Sequence, residues 1–290
     1  MITEINAKTL LSSSKQPDPW FGIKYTMNLY RGCQHQCIYC DSRSECYRIE
    51  NFQDDVLVKG NAIELLQAEL ARKRVKGTVG TGSMNDPYMP LEAKLNLTGR
   101  ALAVIARFGF PVHVITKSDL VLRDLDILKQ ISRVYAAVSF TVTTADDELG
   151  RQLEPGAPPA SRRFRALETL AAEGILTGVT MMPILPFLED SEGSIRAIVE
   201  RAHACGAAYI VAAFGMTLRD RQRAFYYAQL DRWFPGLRMQ YEGRFGERYD
   251  CSANQAVRLE QVFRALCAEY AIATRMPFYA GAEPAQLPML

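Results

Sequence analysis

The chain has 290 residues, of which 48% are hydrophobic and 23% are charged, a composition typical of a globular protein with one large core. Its longest apolar stretch, residues 175–188, is interrupted by Thr, Gly and Pro and is shorter than the roughly 20 apolar residues of a membrane span. The formal charge of +2 and the pI near 8.1 are too mild to indicate a nucleic-acid-binding protein. The N-terminal residues lack the pattern of a secretory signal, so the sequence predicts a cytoplasmic protein with no membrane association.

Short β-rich runs alternate with longer segments of helical periodicity from residue 21 onward, a pattern typical of a parallel sheet with crossover helices. Several of these runs are almost entirely apolar, as expected for strands that are buried on both faces. The six predicted strands are residues 24–29, 78–82, 112–116, 134–141, 176–182 and 209–214.

Amphipathic segments lie between the predicted strands; Ile63, Leu66 and Leu70, for example, recur at helical spacing. Six strand–helix units predict an α/β fold with a partial (β/α)6 TIM-type barrel, because a complete barrel has eight units and usually about 250 residues. The domain prediction is an N-terminal extension over residues 1–20, a barrel core over 21–215 and a small, helical C-terminal extension over 216–290 that covers the barrel.

Three closely spaced cysteines, Cys33, Cys37 and Cys40, follow the first predicted strand in a C-x3-C-x2-C run. Each of three thiolates can bind one iron of a [4Fe-4S] cluster and leave the fourth iron open, whereas a cluster held only by protein needs a fourth cysteine. The position after a strand places this loop at the carboxyl end of the sheet, where barrel enzymes have their active sites. The total of seven cysteines is odd and makes a poor disulfide framework, which favours a reducing compartment and a metal centre.

The spacing of these cysteines, with the aromatic Tyr39 directly before the last one, resembles the signature of the radical S-adenosylmethionine (SAM) enzymes. The resemblance implies that the open iron binds SAM and that an electron from the cluster releases a 5'-deoxyadenosyl radical, which removes a hydrogen atom from a substrate. It also implies that Tyr39 lies against the adenine of SAM. A tyrosine packed in the loop is the structural alternative.

Polar residues follow several of the predicted strands. Residues 81–92 form a turn-rich polar segment, and its Asp-Pro-Tyr-x-Pro-x-Glu stretch from Asp86 resembles the subgroup related to spore photoproduct lyase. The resemblance implies SAM contacts for this segment, including Ser83 and Asp86, although Asp86 could instead be a helix cap. Further implied contacts are Lys117 with the SAM carboxylate, Ser139 with the ribose or carboxylate, and Glu154 and Arg163 as residues that shape the pocket.

One departure from this subgroup concerns the hydrogen donor. The repair lyase has a cysteine near the end of the second strand, whereas this chain has Thr81, Gly82 and Ser83 there, so thymine-dimer repair is not predicted. Cys251 could take the place of that donor only if the C-terminal segment folds over the barrel mouth. A buried structural cysteine is the alternative for Cys251.

The sequence therefore predicts a radical SAM enzyme with an unidentified substrate, an electron donor such as flavodoxin or ferredoxin, and a monomeric state. Nucleic acid is an alternative substrate, because the arginines of residues 162–165 and 219–223 could contact phosphates, although solvated helix faces explain them equally well. A zinc-stabilised binding module without enzymatic activity is the alternative from a different class. In it, His35 or Cys46 would complete a tetrahedral site.

Overall fold

The computed structural model describes residues 1–49, 52 and 55–281. In chain order the strands of this part are β1 (Ile2–Ile5), β2 (Leu11–Ser13), β3 (Ile23–Met27), β4 (Tyr30–Arg31), β5 (Val56–Lys59), β6 (Thr78–Thr81), β7 (Val112–Thr116), β8 (Ala136–Thr141), β9 (Leu176–Met181), β10 (Tyr209–Ala212), β11 (Gly215–Thr217) and β12 (Asp250–Ser252).

The helices complete the element order. They are α1 (Ala62–Arg72), α2 (Glu92–Leu95), α3 (Leu97–Phe108), α4 (Leu125–Ser132), α5 (Asp147–Leu153), α6 (Ala160–Ala172), α7 (Glu192–Ala204), α8 (Asp220–Trp233), α9 (Leu237–Phe245) and α10 (Ala256–Glu269). Short 3-10 turns span Asp41–Arg43, Glu45–Tyr47 and Asp119–Asp124. None of the helices in the described ranges combines the length and the apolar character needed to cross a bilayer.

The main sheet has seven strands in the order β10-β9-β8-β7-β6-β3-β2. Each strand in the series β3, β6, β7, β8, β9 and β10 pairs in parallel with the next one. Strand β2 pairs antiparallel with β3 at the edge. The six parallel strands are the six that the sequence predicts, so the partial barrel is confirmed. The predicted boundaries are off by up to two residues; the fourth strand, for example, begins at Ala136 rather than at residue 134.

Helices cover the outer face of this sheet, and their apolar residues form one large core with the strands. Strand β8 illustrates the environment, because all six of its residues are buried. Such a strand has no solvated face, which explains why its sequence is an apolar run rather than an alternating pattern.

Part of the barrel interior is filled by the ring of Tyr209 on β10. The ring lies directly against Gly178 of β9, where a Cβ would overlap its atoms. The Tyr209 hydroxyl is 2.7 Å from Ser139 Oγ, and His113 Nε2 is 2.8 Å from the same oxygen. Further along β8 toward its carboxyl end, the hydroxyls of Thr141 and Thr180 are 2.9 Å apart and line an open cavity.

The segment after the sixth parallel strand returns over the carboxyl ends of the barrel strands. Strands β11 and β12 pair antiparallel, and α8 and α9 pack with them in a second apolar core that includes Cys37, Ile38 and Tyr39. Beyond α10, Ala273 forms a bridge with Tyr209 at the edge of the sheet. Residues 282–290 of the predicted C-terminal extension lie outside the described residues.

Candidate active site

A cavity of about 960 Å³ lies at the carboxyl ends of the parallel strands. Its lining combines three cysteines of one loop, polar residues that follow the strands, and the β11–β12 pair of the C-terminal segment. Among the lining residues are Cys33, Cys37, Tyr39, Cys40, Ser83, Asp86, Lys117, Thr141, Thr180, Thr217, Asp250 and Cys251. The carboxyl ends of parallel strands meet at one edge of a sheet, which is why residues distant in sequence converge here.

The three cysteines share this cavity and lie close enough to influence one another's ionisation. Cys33 and Cys37 are buried and Cys40 is half-buried. Burial raises the pKa of the Cys33 thiol to about 12 and raises those of Cys37 and Cys40, so each is protonated in the metal-free protein. Backbone N–H groups of His35 and Asp86 point toward the Cys33 sulfur and counteract part of this shift.

Arg43 is a buried cation beside the three thiols that sequence reasoning did not select. Its guanidinium donates to the Cys37 carbonyl at 3.4 Å and to Gln36 Oε1 at 2.8 Å. It also lies 4.7 Å from the ring centroid of Phe52 and 3.6 Å from that of Phe225. A positive charge held between two aromatic rings favours negative charge on the neighbouring sulfurs. A lone arginine three residues after a cysteine motif carries no sequence signal for this role.

A buried charge network lies against the cysteine loop. The Tyr39 hydroxyl and the Arg163 guanidinium both donate hydrogen bonds to Glu154, and Lys117 Nζ is 3.8 Å from Glu154 Oε1. Burial alone would raise the pKa of Glu154, but Arg163 and Lys117 lower it, so this carboxyl is ionised. Burial alone would lower the pKa of Lys117, but its electrostatic interactions with Cys37 and Glu154 raise it.

Asp86 holds the polar segment after β6 against the cysteine loop. Its oxygens accept hydrogen bonds from the Thr116 hydroxyl at 2.7 Å and the Lys117 backbone N–H at 2.6 Å, and His35 Nε2 is 3.2 Å away. Burial alone would raise its pKa, but His35 and these hydrogen bonds lower it to about 2. The Tyr88 backbone N–H also donates to Asp86 at 2.8 Å. Three hydrogen-bond donors, the Thr116 hydroxyl and the backbone N–H groups of Tyr88 and Lys117, therefore orient the Asp86 carboxylate at the cavity wall.

The structure brings only some of the predicted SAM contacts to the cavity surface. Ser83 is exposed there, with its hydroxyl 3.2 Å from Asn28 Oδ1, and Tyr39, Asp86 and Lys117 also line it. The fully buried Ser139 is not among the lining residues, because β8 continues to Thr141, which occupies the strand-end position instead.

Glu154 and Arg163 are likewise buried behind the cavity wall and are not among the residues that line it. They reach the cavity through their partners: Glu154 accepts the Tyr39 hydrogen bond, and Arg163 Nη1 donates to the Thr141 carbonyl at 2.9 Å. That these two residues bind the cofactor or shape its pocket stays a prediction.

The N-terminal turn of α8 is fastened to the cysteine loop by several hydrogen bonds. Gln222 Nε2 donates to the Tyr39 carbonyl at 3.0 Å, and the Arg219 guanidinium donates to Asp41 at 2.6 Å. Arg221 donates to the backbone carbonyls of Arg43 at 2.6 Å and Ile49 at 2.5 Å. The partners are more than 170 positions apart in sequence, so only tertiary structure joins them.

Cys251 lies on β12 opposite Met216 of β11, is only 1% exposed and lines the same cavity as Cys33, Cys37 and Cys40. The sequence allowed a role for Cys251 only if the C-terminal segment folds over the barrel mouth. The position of Cys251 in the cavity lining meets this condition. The thiol faces the Arg248 carbonyl at 4.0 Å.

Comparison with known proteins decides the family. The pattern of the Radical SAM superfamily matches residues 27–198, which is more than half of the chain. The chain belongs to the radical SAM superfamily. An uncharacterized protein of Mycobacterium tuberculosis is 31% identical over 226 residues, which cover 76% of this chain and 66% of that protein. The chain thus spans slightly less than two thirds of that relative.

Two further comparisons are with an isomerase and with a lyase. A radical SAM Nalpha-GlyT isomerase of Pseudomonas phage M6 is 24% identical over 199 residues, which cover 68% of this chain and 40% of the isomerase. The structure of spore photoproduct lyase complexed with dinucleoside spore photoproduct superimposes with a TM-score of 0.68 at 16% identity, over 93% of this chain and 79% of the lyase. At this identity the likeness shows a shared fold.

The cysteine loop fits the cluster that membership of the radical SAM superfamily implies. A cubane cluster takes one thiolate per iron, so its three ligands do not need to converge on a single ion. Buried cations beside the thiols, Arg43 and Lys117, suit a site that carries thiolate charge. The cavity supplies room for SAM next to the cysteines.

The zinc alternative has a different geometric requirement, because four ligands must converge on one ion. Within the described ranges, no three side chains of His, Cys, Asp or Glu converge in this way. His35 has one ring nitrogen 3.1 Å from the Gly156 carbonyl and the other 3.2 Å from Asp86, and Cys46 is exposed. The two candidate fourth ligands are therefore engaged elsewhere or turned to solvent.

Proposed function

We propose that this radical SAM enzyme cleaves S-adenosylmethionine reductively at a [4Fe-4S] cluster held by Cys33, Cys37 and Cys40. The observation that carries the proposal is that the three cysteines line one cavity together with the polar residues at the strand ends. When bound, the cluster and SAM supply a 5'-deoxyadenosyl radical that abstracts hydrogen from a substrate. The residues of this chain bind, orient and shield these groups.

Within the cavity, we assign SAM binding to Tyr39, Ser83 and Lys117. The Tyr39 ring is held in place through its hydroxyl, which is bonded to Glu154, and it presents a face suited to adenine. Lys117 keeps its charge in a mostly buried position and complements a carboxylate. Ser83 is exposed in the cavity and offers a hydroxyl for hydrogen bonding.

We assign a positioning role to Asp86, Ser139, Glu154 and Arg163. The bonds that Asp86 accepts from Thr116 and the Lys117 backbone fix the start of the segment that carries the Lys117 side chain. Ser139 is bonded to two residues of the filled barrel interior, which lies below the cavity. Glu154 and Arg163 hold Tyr39 and the end of β8 from behind.

Anaerobic reconstitution with iron and sulfide tests the cluster assignment. We expect about four irons per chain and formation of 5'-deoxyadenosine from SAM and dithionite. Replacing Cys33, Cys37 or Cys40 by Ala should abolish both. Cys46→Ala is the matched control, because Cys46 is in the same segment but exposed, and it should keep both. Stoichiometric zinc without iron, or full SAM cleavage in Cys37→Ala, would contradict the assignment.

A nucleic-acid substrate is the second candidate, and two observations favour it. The spore photoproduct lyase structure, which shares the fold of this chain, contains a dinucleoside. The indole of Trp20 lines the cavity and is 47% exposed, so it offers a face for stacking a base.

The arginines that the sequence offered as phosphate contacts do not support this candidate. Arg162 is bonded to Asp119 and Arg163 to Glu154, while Arg221 and Arg223 donate to backbone carbonyls. The charges of these four arginines are used inside the chain, and so is that of Arg219, which is bonded to Asp41, whereas Arg165 is exposed. Stimulation of 5'-deoxyadenosine formation by single-stranded oligonucleotides, reduced in Trp20→Ala, is the expected result. An equal rate with and without oligonucleotide would contradict this candidate.

We further propose Cys251 as the hydrogen donor for a substrate radical. In this step the S–H bond breaks homolytically, a C–H bond forms on the substrate, and a thiyl radical is left on the sulfur. Thiol hydrogens exchange with solvent, so reaction of an active oligonucleotide in deuterium oxide should place deuterium in the product. Cys251→Ala should remove that label, whereas Cys267→Ala, on α10 and outside the cavity lining, should keep it. Equal deuterium incorporation in the Cys251→Ala and Cys267→Ala variants would contradict the role of Cys251 as hydrogen donor.

A further inference from the structure

A second cavity of about 490 Å³ lies on the other side of the cysteine loop, and we call it the outer groove. The residues around Cys37 divide between the two cavities: Cys37 lines the active-site cavity, whereas Gln36 and Ile38 line the outer groove. The remaining walls come from α5 with the residues after it and from α8, including Arg151, Phe225, Arg232 and Trp233. The groove is thus open to solvent on the side of the loop that faces away from the substrate.

The outer groove is positively charged. Arg151 and Arg232 are exposed, and none of the described residues that line the groove is acidic. The nearby carboxylate of Asp231 is paired with Arg238 at 3.0 Å. Trp233 is 43% exposed, with the Arg232 guanidinium 4.7 Å from its ring centroid. Exposed Trp and Arg side chains are the residues most often found at the centre of protein interfaces.

A short chain of contacts joins the outer groove to the cluster ligands. Phe225 forms part of the groove wall, and its ring centroid is 3.6 Å from the Arg43 guanidinium. Arg43 in turn contacts the Cys37 carbonyl at 3.4 Å. The cysteine loop therefore borders the groove directly through Gln36 and Ile38, and Phe225 and Arg43 form a second path of contacts to the Cys37 carbonyl.

We propose that the outer groove docks an acidic one-electron carrier protein of the flavodoxin or ferredoxin type. This inference rests on the proposed function, in which the carrier loses one electron and the cluster held by the three cysteines gains it. Charge complementarity selects the partner, because a carrier with a negative surface around its redox group matches Arg151 and Arg232. Small, weak interfaces are usual for such encounters, so a groove of this size is sufficient.

A nucleic acid would also be attracted by two arginines, but the position of the outer groove disfavours it. A substrate must reach the cavity on the other side of the cysteine loop, where Lys117 and Cys251 lie. An electron carrier only needs to come close to the cluster, and the groove provides that approach without blocking the cavity.

The test measures binding and activity separately on the iron-loaded protein, with a purified acidic bacterial flavodoxin as the probe. The variant Arg151→Glu/Arg232→Glu reverses the charge of the groove. Its matched control is Arg74→Glu/Arg100→Glu, which changes the net charge equally at exposed residues that do not line the groove. Binding is measured by titration at low and high salt, and 5'-deoxyadenosine is measured with reduced flavodoxin and with dithionite.

We expect the groove variant to raise the flavodoxin Kd at least about tenfold and to abolish most of its salt dependence. The control should change the Kd by less than about twofold, because exposed charges outside an interface contribute little. Dithionite-driven SAM cleavage should be unchanged in both variants, because this reductant does not dock.

An unchanged flavodoxin Kd in the groove variant would overturn the proposal, and so would an equal loss of flavodoxin-driven and dithionite-driven cleavage. Displacement of flavodoxin by a short oligonucleotide, lost in the groove variant, would assign the groove to nucleic acid and would also overturn it. If the unaltered protein shows no dithionite-driven cleavage of SAM, the proposed function fails. This outcome is distinguishable from failure of the docking proposal, because the binding titration does not depend on SAM cleavage.

Discussion

Gln222 on α8 donates one hydrogen bond to the carbonyl of Tyr39, the residue directly before Cys40. Its side-chain nitrogen is 3.0 Å from that carbonyl and 2.8 Å from the carbonyl of Thr217, and the residue is completely buried. One amide thus connects the cysteine loop, β11 and the start of α8. The C-terminal segment is a structural support of the cysteine loop as well as a cover of the cavity.

We expect Gln222→Ala to lower the free energy of unfolding by about 2–4 kcal/mol, because two buried carbonyls lose their donor. Iron content after reconstitution should fall as well, since the loop is no longer fixed. Gln130→Ala, at an exposed position on α4, is the control and should leave both quantities unchanged. Urea unfolding and iron analysis provide the measurements. Full iron content in Gln222→Ala would show that the loop holds its shape without α8.

A second prediction concerns the affinity for SAM. Lys117→Met keeps much of the side-chain volume but removes the charge that we propose pairs with the SAM carboxylate, so the Kd for SAM should rise about 10- to 100-fold. Lys94→Met, exposed on α2, is the matched control. Calorimetric titration of the reconstituted protein gives both values. Equal affinities in the two variants would remove Lys117 from the binding site.

The pH dependence of stability should contain a contribution from Glu189. This carboxyl is 1% exposed, the Leu185 backbone N–H donates to it at 3.0 Å, and burial raises its pKa from 4.5 to about 8. Between these two values the unfolded chain is ionised while the folded protein keeps the proton, so stability falls as pH rises from about 4.5 to about 8. Below this window both states are protonated, and above it both are ionised.

Glu189→Gln removes this titration while keeping an oxygen that can accept the Leu185 hydrogen bond. Relative to the unaltered protein, it should gain stability with rising pH by up to about 1.4 kcal/mol per unit within the window. Glu168→Gln, exposed on α6, should show no such gain. The measurement is urea unfolding at several pH values. If the free energy of unfolding depends on pH in the same way in Glu189→Gln and in the unaltered protein, the raised pKa of Glu189 is refuted.

Two glycines provide a test of packing in the barrel interior. A Cβ at Gly178 would overlap the Tyr209 ring, so Gly178→Ala should destabilise the protein by about 1–3 kcal/mol. Gly243, inside α9, has no atoms within contact distance of an added Cβ, and Gly243→Ala should stabilise by about 0.5–1 kcal/mol. Thermal unfolding checks both. A neutral Gly178→Ala would mean that Tyr209 can move aside.

The sequence by itself determined the six parallel strands and the position of the cysteine loop. Apolar runs bounded by polar turns are local signals, and three cysteines within eight residues need no tertiary contact to be recognised. The strand ends were less certain, because hydrogen bonding between strands decides them. Ser139 shows the consequence: β8 continues for two residues beyond it, and Thr141 lines the cavity instead.

Only the tertiary structure decided what surrounds the loop. Arg43 became a buried cation beside the thiols because Phe225, far away in sequence, packs on it. The sequence is compatible with Arg221 on a solvated helix face. In the structure its guanidinium instead donates hydrogen bonds to the backbone carbonyls of Arg43 and Ile49, next to the cysteine loop. The physical reason is that burial and pairing of charges depend on which distant segments meet, and no local pattern encodes that meeting.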